Sequence, residues 1–254
     1  KCDGMTAADE KKALICLIAD LLRDCNHVAV GAASPIPGAA ALLAKAAWGS
    51  PRHVNILGSV ANNFFTGGGG ELFDCAAQGR IDAFFLGGGQ IDGEANINLM
   101  GRGPYPTSAP RWPGTFGSAY LYFLIPKVIL FREEHTRRTL VEKVDFISAP
   151  GISDEKIYRK GGPYGLITSK AFFRFNREKR QFSLQSIHPS SSLEDILDNT
   201  GFAFDYEEST PVTPPPDPEL LKLLEMEVSR KVSEVYPNFA ASIFPVTSEA
   251  EPVK

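Results

Sequence analysis

The chain has 254 residues, of which 43% are hydrophobic and 22% charged, enough apolar material for one large globular domain or a domain with a small appendage. A net charge of −4 leaves no overall basic footprint, which argues against nucleic acid or an anionic membrane surface as a partner for the whole molecule and leaves room only for a local basic patch. Cys2, Cys16, Cys25 and Cys75 lack CxxC spacing and the four histidines are scattered, so ordinary reduced thiols in a cytoplasmic protein are expected, with no metal site and no disulfides. No apolar run reaches transmembrane length: ALICLIADLL is interrupted by Asp20, and no targeting segment is visible.

In chain order, Thr6 and Asp9 make a capping-box start for a helix running to about Arg23, with Leu14, Leu17, Ile18, Leu21 and Leu22 on one side. A short buried strand over 28–30 follows, then a turn over 31–37 and a small-residue helix over 38–47. A strand, a Gly/Ser/Pro loop and a helix N-terminus form a candidate anion site, with Gly31 and Ser34 in the loop. HVNILGSVANNFF repeats the strand-then-turn pattern, and a glycine run opens a helix that ends at Gly79. DAFFLGGGQIDGEANINL then reads as a buried strand that stops at three glycines and a polar hook. LYFLIPKVILF and VDFISAP are strand-like, with a charged stretch between them. LITSKAFFRFN and QFSLQSIHP read as antiparallel strands joined by NREKR, and SSLEDILDNTGF as a short capped helix. The expected organisation is an open, mostly parallel α/β sheet covered by helices over 1–208, carrying this C-terminal hairpin and helix, and then a Pro-rich connector, terminal helix and loose tail over 209–254.

Three successive glycines at a strand end let something bulky approach the backbone, so Gly87, Gly88 and Gly89 mark a tight strand exit. Gln90, Asp92, Asn96 and Asn98 sit at its rim, where α/β proteins keep ligand sites. Glu71 reads as a first-turn helix residue and Glu94 as a solvated turn residue. The basic cluster Arg132, Arg137 and Arg138 reads either as a solvated loop or as a contact for phosphates or a partner.

GRIDAFFLGGGQIDGEANIN, PGTFGSAYL, HTRRTLVEKVDFISAPG, PYGLITSKAFFRF, IHPSSSLEDILDNTGF and TPPPDPELL, in that order, resemble the β subunit of class I CoA-transferases, and most of all the glutaconate CoA-transferase branch. The resemblance implies an open α/β fold that pairs with a homologous α subunit, as αβ or α2β2, and an acyl-CoA site at their junction. It implies no tightly bound cofactor, the coenzyme A thioester being the substrate. Gly31, Ser34, Gly87, Gly88, Gln90, Asp92, Asn96, Gly114 and Gly117 are the substrate- or CoA-binding residues it suggests. In that family a β-subunit Glu attacks the thioester, a step that needs a desolvated carboxylate and N–H donors for the oxyanion.

This sequence departs from the family at that point: after VNIL it has Gly58, Ser59, Val60, Ala61 and Asn62, so Ser59 and Val60 occupy the place of the catalytic Glu. Its glycine loop also reads Phe116, Gly117, Ser118 where the family has adjacent glycines followed by Asp. A related branch that handles CoA thioesters of steroid ring fragments likewise lacks this Glu; there the working carboxylate belongs to the α subunit and water is the co-substrate. The expectation is therefore a subunit of a transferase or hydrolase acting on an acyl-CoA; the rival is a non-catalytic subunit that only completes the pocket.

Overall fold

The computed structural model describes residues 4–244. The chain folds into two compact units, one made of residues 1–64 with 215–254 and the other of residues 65–214.

In the first unit, helix α1 (Ala7–Asp20) begins with the expected capping box: the Thr6 hydroxyl accepts from the Asp9 N–H and the Asp9 carboxylate accepts from the Thr6 N–H. Leu14, Ile15, Ile18 and Ala19 form its buried face. Strands β1 (His27–Val30) and β2 (His53–Ile56) pair in parallel, with Val28 opposite Val54 and Val30 opposite Ile56. Helix α2 (Pro35–Trp48) connects them and is buried from Ile36 to Ala44. The C-terminal segment belongs to this unit. It comprises α6 (Pro218–Leu223), a π-helical turn (Leu224–Val228), α7 (Ser229–Val235) and α8 (Pro237–Ile243). Leu224, Val228 and Val232 are its fully buried anchors. Lys12 of α1 reaches Glu225 of the π-turn at 2.6 Å, with the lysine side chain only 8% exposed.

In the second unit, α3 (Gly69–Ala77) precedes β3 (Ala83–Leu86), and a small antiparallel pair, β4 (Gln90–Ile91) with β5 (Ile97–Asn98), forms the hook. Helix α4 (Ser118–Leu124) leads into β6 (Lys127–Phe131); β7 (Pro163–Ile167), β8 (Ala171–Asn176), β9 (Gln181–Ile187) and α5 (Leu193–Asn199) follow. The strand order is β3-β6-β7-β8-β9, parallel from β3 through β7 and antiparallel beyond it. Phe173, Phe175, Phe182, Phe202 and Phe204 pack edge-on and stacked beneath the antiparallel strands, Phe182 and Phe202 lying 5.3 Å apart.

The mostly parallel α/β architecture is the expected one, but several local expectations change. Helix α2 starts at Pro35, not at residue 38, because Pro at the first helical position gives up only an N–H that has no partner there. The LYFL stretch is the end of α4, not strand: Gly117, at φ +70°, starts the helix, and the strand begins only after Pro126. VDFISAP is not a strand; it touches the ladder through a single bridge, Ala149 with Ile97. LITSKAFFRFN is two strands, β7 and β8, turning at 168–170. The C-terminal helix is interrupted by the π-turn, and of the tail expected to be loose, Ala241 to Ile243 are helical while residues 245–254 lie outside the described residues.

Candidate functional site

Parallel strands deliver their C-terminal ends to one edge, and in the first unit that edge carries two of the sequence-predicted loops. Loop 31–34 leaves β1 and loop 57–62 leaves β2, and the Leu57 N–H donates to the Val30 carbonyl at 2.9 Å. Ala33 has φ +55° and Ser34 is the N-cap of α2, but the Ser34 hydroxyl makes no cap bond. Pro35 and Pro37 have no N–H, so this helix start offers an anion few donors.

Loop 57–62 is built differently. Gly58 turns at φ +93°, the Ile56 N–H donates to the Asn62 carbonyl at 2.7 Å, and the Asn62 N–H donates to Ser59 Oγ at 2.9 Å. Ser59 is buried, while Val60 is 92% exposed at the tip. No carboxylate belongs to the loop, yet one is held on it: Glu234, in the last turn of α7, accepts from Ser59 Oγ at 2.8 Å and from the Val60 N–H at 3.0 Å. The Val60 N–H, helped by the Ser59 hydroxyl and the Ala61 N–H, holds the Glu234 carboxyl below the usual carboxylate range against the opposing effect of burial. Sequence reasoning missed this residue, which lies 175 positions from Ser59 with no local signal to mark it.

In the second unit, the three glycines face three different neighbours. A Cβ at Gly87 would meet the Phe131 carbonyl of β6, one at Gly88 the Ile97 side chain, and one at Gly89 would overlap the Trp112 indole. The bulky neighbour expected at this strand exit is the protein's own tryptophan. The polar hook forms a buried network. Asp92 accepts from the N–H groups of Glu94, Asn96 and Val144 and from the Asn96 amide. Asn96 accepts from the Gly151 N–H. Gln90 donates to Asp145 at 3.0 Å and accepts from the Asp145 N–H and the Asn98 amide, and Asn98 also holds Gly101. These side chains pin loops 99–103 and 144–151 around β4 and β5. Asp92, Glu94, Asn96, Lys143, Lys179 and Arg180 border a surface depression of about 560 Å³.

Gly114 and Gly117 lie in a loop whose backbone turns left-handed three times, at φ +109° for Gly114, +31° for Phe116 and +70° for Gly117. Phe116 is 71% exposed, with its ring over Gly69 and 5.9 Å from Phe73. Phe73 lies on Gly117, where a side chain would collide with it. The buried Ser118 hydroxyl has no hydrogen-bond partner among the described residues. The glycine loop and the glycine run that opens α3 are therefore neighbours. Glu71 holds that run by accepting from the Gly67 N–H at 2.9 Å, a structural role that fits its first-turn reading.

The basic cluster is tied up within the chain. Glu134 bonds Arg132 at 3.2 Å and Arg138 at 2.9 Å, and Arg137 donates to the Asp198 and Leu197 carbonyls at the end of α5. Burial raises the Glu134 pKa, but hydrogen bonds from Thr136, Arg138 and Arg132 outweigh it and bring it to about 2. His135 and His188 are buried and joined through Thr168: His135 Nδ1 lies 2.7 Å from its hydroxyl and His188 Nε2 is 3.0 Å from its carbonyl. Among the described residues no three His, Cys, Asp or Glu side chains are grouped to hold a metal ion, and no helix is long and apolar enough to cross a membrane.

Parallel strands flanked by helices, with glycine-lined exits closed by polar loops, define an open α/β protein. The model of the coenzyme A transferase family matches residues 15–199, and the chain belongs to that family. It is 30% identical over 151 residues to the B-type subunit of glutaconate CoA-transferase from Acidaminococcus fermentans, covering 57% of this chain and 56% of that protein. It is 27% identical over 158 residues to the cholesterol ring-cleaving hydrolase IpdB subunit of Rhodococcus jostii, covering 61% of this chain and 62% of that one. In both cases the match spans less than two thirds of the relative. The crystal structure of glutaconate coenzyme A-transferase from A. fermentans superposes with a TM-score of 0.71 at 25% identity, over 86% of this chain and 94% of that chain.

Proposed function

We propose that this chain is the β-type subunit of a heteromeric enzyme that acts on an acyl-CoA thioester with a homologous α-type partner, as αβ or α2β2, and that water is the co-substrate. One observation carries the choice of chemistry: the loop after β2 has no carboxylate of its own, and the one held on it, Glu234, is bound as an acceptor by the Ser59 hydroxyl and the Val60 N–H. A nucleophilic carboxylate or a general base needs a basicity matched to the reaction, and the loop's donors hold Glu234 below the usual carboxylate range. The base that takes a proton from water as its oxygen adds to a carbonyl of the acyl-CoA is then assigned to the partner, which returns that proton to the leaving group. The IpdB subunit, a hydrolase by name, stands among the relatives beside transferase subunits, so water as co-substrate rests on the loop and not on the likeness. Gly31, Ser34, Gly87, Gly88, Gln90, Asp92, Asn96, Gly114 and Gly117 are the proposed CoA- and substrate-binding positions, of which Gly87, Gly88 and Gly117 act by allowing close packing of Phe131, Ile97 and Phe73, and Gln90, Asp92 and Asn96 by holding the loops around β4 and β5. Cys16, Cys25 and Cys75, which form no disulfide among the described residues, fit the proposed cytoplasmic setting.

The test is to co-express the chain with a homologous α-type subunit from its own genome and offer saturated, β-keto and cyclic acyl-CoAs in ¹⁸O-labelled water. Product carrying one ¹⁸O, formed without any added carboxylic acid, is the expected result. Turnover that requires an acceptor acid would make the complex a transferase, and a partner lacking a carboxylate in its own corresponding loop would favour the non-catalytic, pocket-completing subunit.

A further inference from the structure

We infer that Glu234 is a positioning residue: through Ser59, Val60 and Ala61 it fixes the loop after β2, and so the surface that loop presents to the acyl-CoA. This rests on the acyl-CoA reading above. The geometry is that of an anion cradle, with a hydroxyl and two successive backbone amides converging on one carboxylate. An exposed carboxylate on a helix surface ordinarily stays in water, and here it instead serves residues 175 positions away in sequence. The loop has little else to hold its tip: Ser59 and Asn62 are tied back to β2 and to each other, whereas Val60 is almost fully exposed.

The π-turn at Leu224–Val228 supplies the phase. One extra residue in a helical turn rotates everything after it by about 100°. Beyond that turn Glu234 meets the loop. A regular α-helix anchored at Leu224 would carry residue 234 away from it. The helix irregularity and the carboxylate thus act on the same loop.

The experiment uses the full chain in complex with its partner and compares Glu234→Ala, Glu234→Gln and Glu234→Asp by amide hydrogen exchange and by kinetics on the acyl-CoA that the wild type turns over. In Glu234→Ala, exchange at Val60 and Ala61 should rise about tenfold or more while β1 and β2 stay protected, and kcat should fall about tenfold or more with KM changed less than about threefold. Glu234→Asp, which keeps the charge, should recover part of both. The acid limb of the pH profile should stay where it is in Glu234→Gln. Unchanged exchange in Glu234→Ala would overturn the inference, as would loosened exchange with unchanged kcat. Loss of the acid limb in Glu234→Gln would overturn it in favour of a catalytic base. A wild-type complex that turns over no acyl-CoA would defeat the enzymatic reading alone, and the exchange pattern would still decide whether Glu234 holds the loop.

Discussion

Ser59 Oγ donates to Glu234 Oε2 at 2.8 Å and accepts from the Asn62 N–H at 2.9 Å, so a single hydroxyl links the C-terminal helix to the turn that closes the β2 loop. Neither bond places a His beside it, and the group it donates to is a low-pKa carboxylate, which makes the hydroxyl a tether and not a nucleophile. Ser59→Ala is therefore expected to cost about 1–2 kcal/mol of stability and to lower turnover by no more than about tenfold. Thermal unfolding and steady-state rates on the complex measure both; complete inactivation with the fold intact would make Ser59 the attacking group.

The Lys12–Glu225 pair sets a test of how the first unit is held together. With the lysine side chain 8% exposed and the glutamate 42%, removing the glutamate strands a buried ammonium, whereas removing the lysine frees a carboxylate that water can reach. Glu225→Ala should therefore destabilise by about 2–3 kcal/mol and Lys12→Met by less than about 1 kcal/mol. Urea unfolding that gave equal costs would mean the pair acts as an ordinary surface ion pair.

Much of this architecture is legible in the sequence because its signals are local. Thr6 and Asp9 announce α1 three residues apart, Gly87 to Gly89 announce a crowded strand exit, and Ala171 onward alternates as a hairpin should. Misreadings arise where tertiary context overrides propensity. Leu121 to Leu124 have the aromatic, branched composition of a strand, but the left-handed Gly117 starts a helix before them. Asp145 in VDFISAP is taken up by the Gln90 amide and the Gly103 N–H instead of by a ladder. Glu234 on the β2 loop was invisible because both the distance along the chain and the π-turn that aims it are outside any local pattern.

Gly89 tests the strand exit. A methyl group there would overlap the far edge of the Trp112 ring, which must shift to admit it while the Trp112 backbone stays bonded to the Met100 carbonyl at 3.0 Å. Gly89→Ala should cost about 2–3 kcal/mol and red-shift the tryptophan emission, and Trp112→Leu in the same chain should restore part of that loss. Additive costs in the double variant would show that the two residues do not oppose each other.

Acid sensitivity should come from the two buried histidines. Burial lowers both His135 and His188 to a pKa of about 4 from an ordinary 6.5. The unfolded chain thus takes up their protons first as pH falls; the stability they contribute is intact above pH about 6.5 and is lost progressively down to about 4, at about 3 kcal/mol for each. Imidazole NMR resonances that stay neutral at pH about 5.5, together with a melting temperature falling steeply between pH about 6 and about 4.5, are expected. Titration of either ring near its ordinary value would contradict this.

The central claim is that acyl-CoA chemistry in the complex does not pass through a carboxylate of this chain. A transferase mechanism through one of its glutamates leaves a glutamyl-CoA thioester that borohydride reduces or hydroxylamine captures. The decisive measurement is to incubate the reconstituted complex with its acyl-CoA, quench with borohydride, and map every Glu-containing peptide of this chain by mass spectrometry, with Glu71, Glu94 and Glu234 followed individually. The account predicts unmodified peptides throughout, with turnover intact and ¹⁸O from water in the product. CoA or its reduced remnant on any glutamate of this chain, Glu234 above all, would contradict it and return the chain to the covalent transferase mechanism.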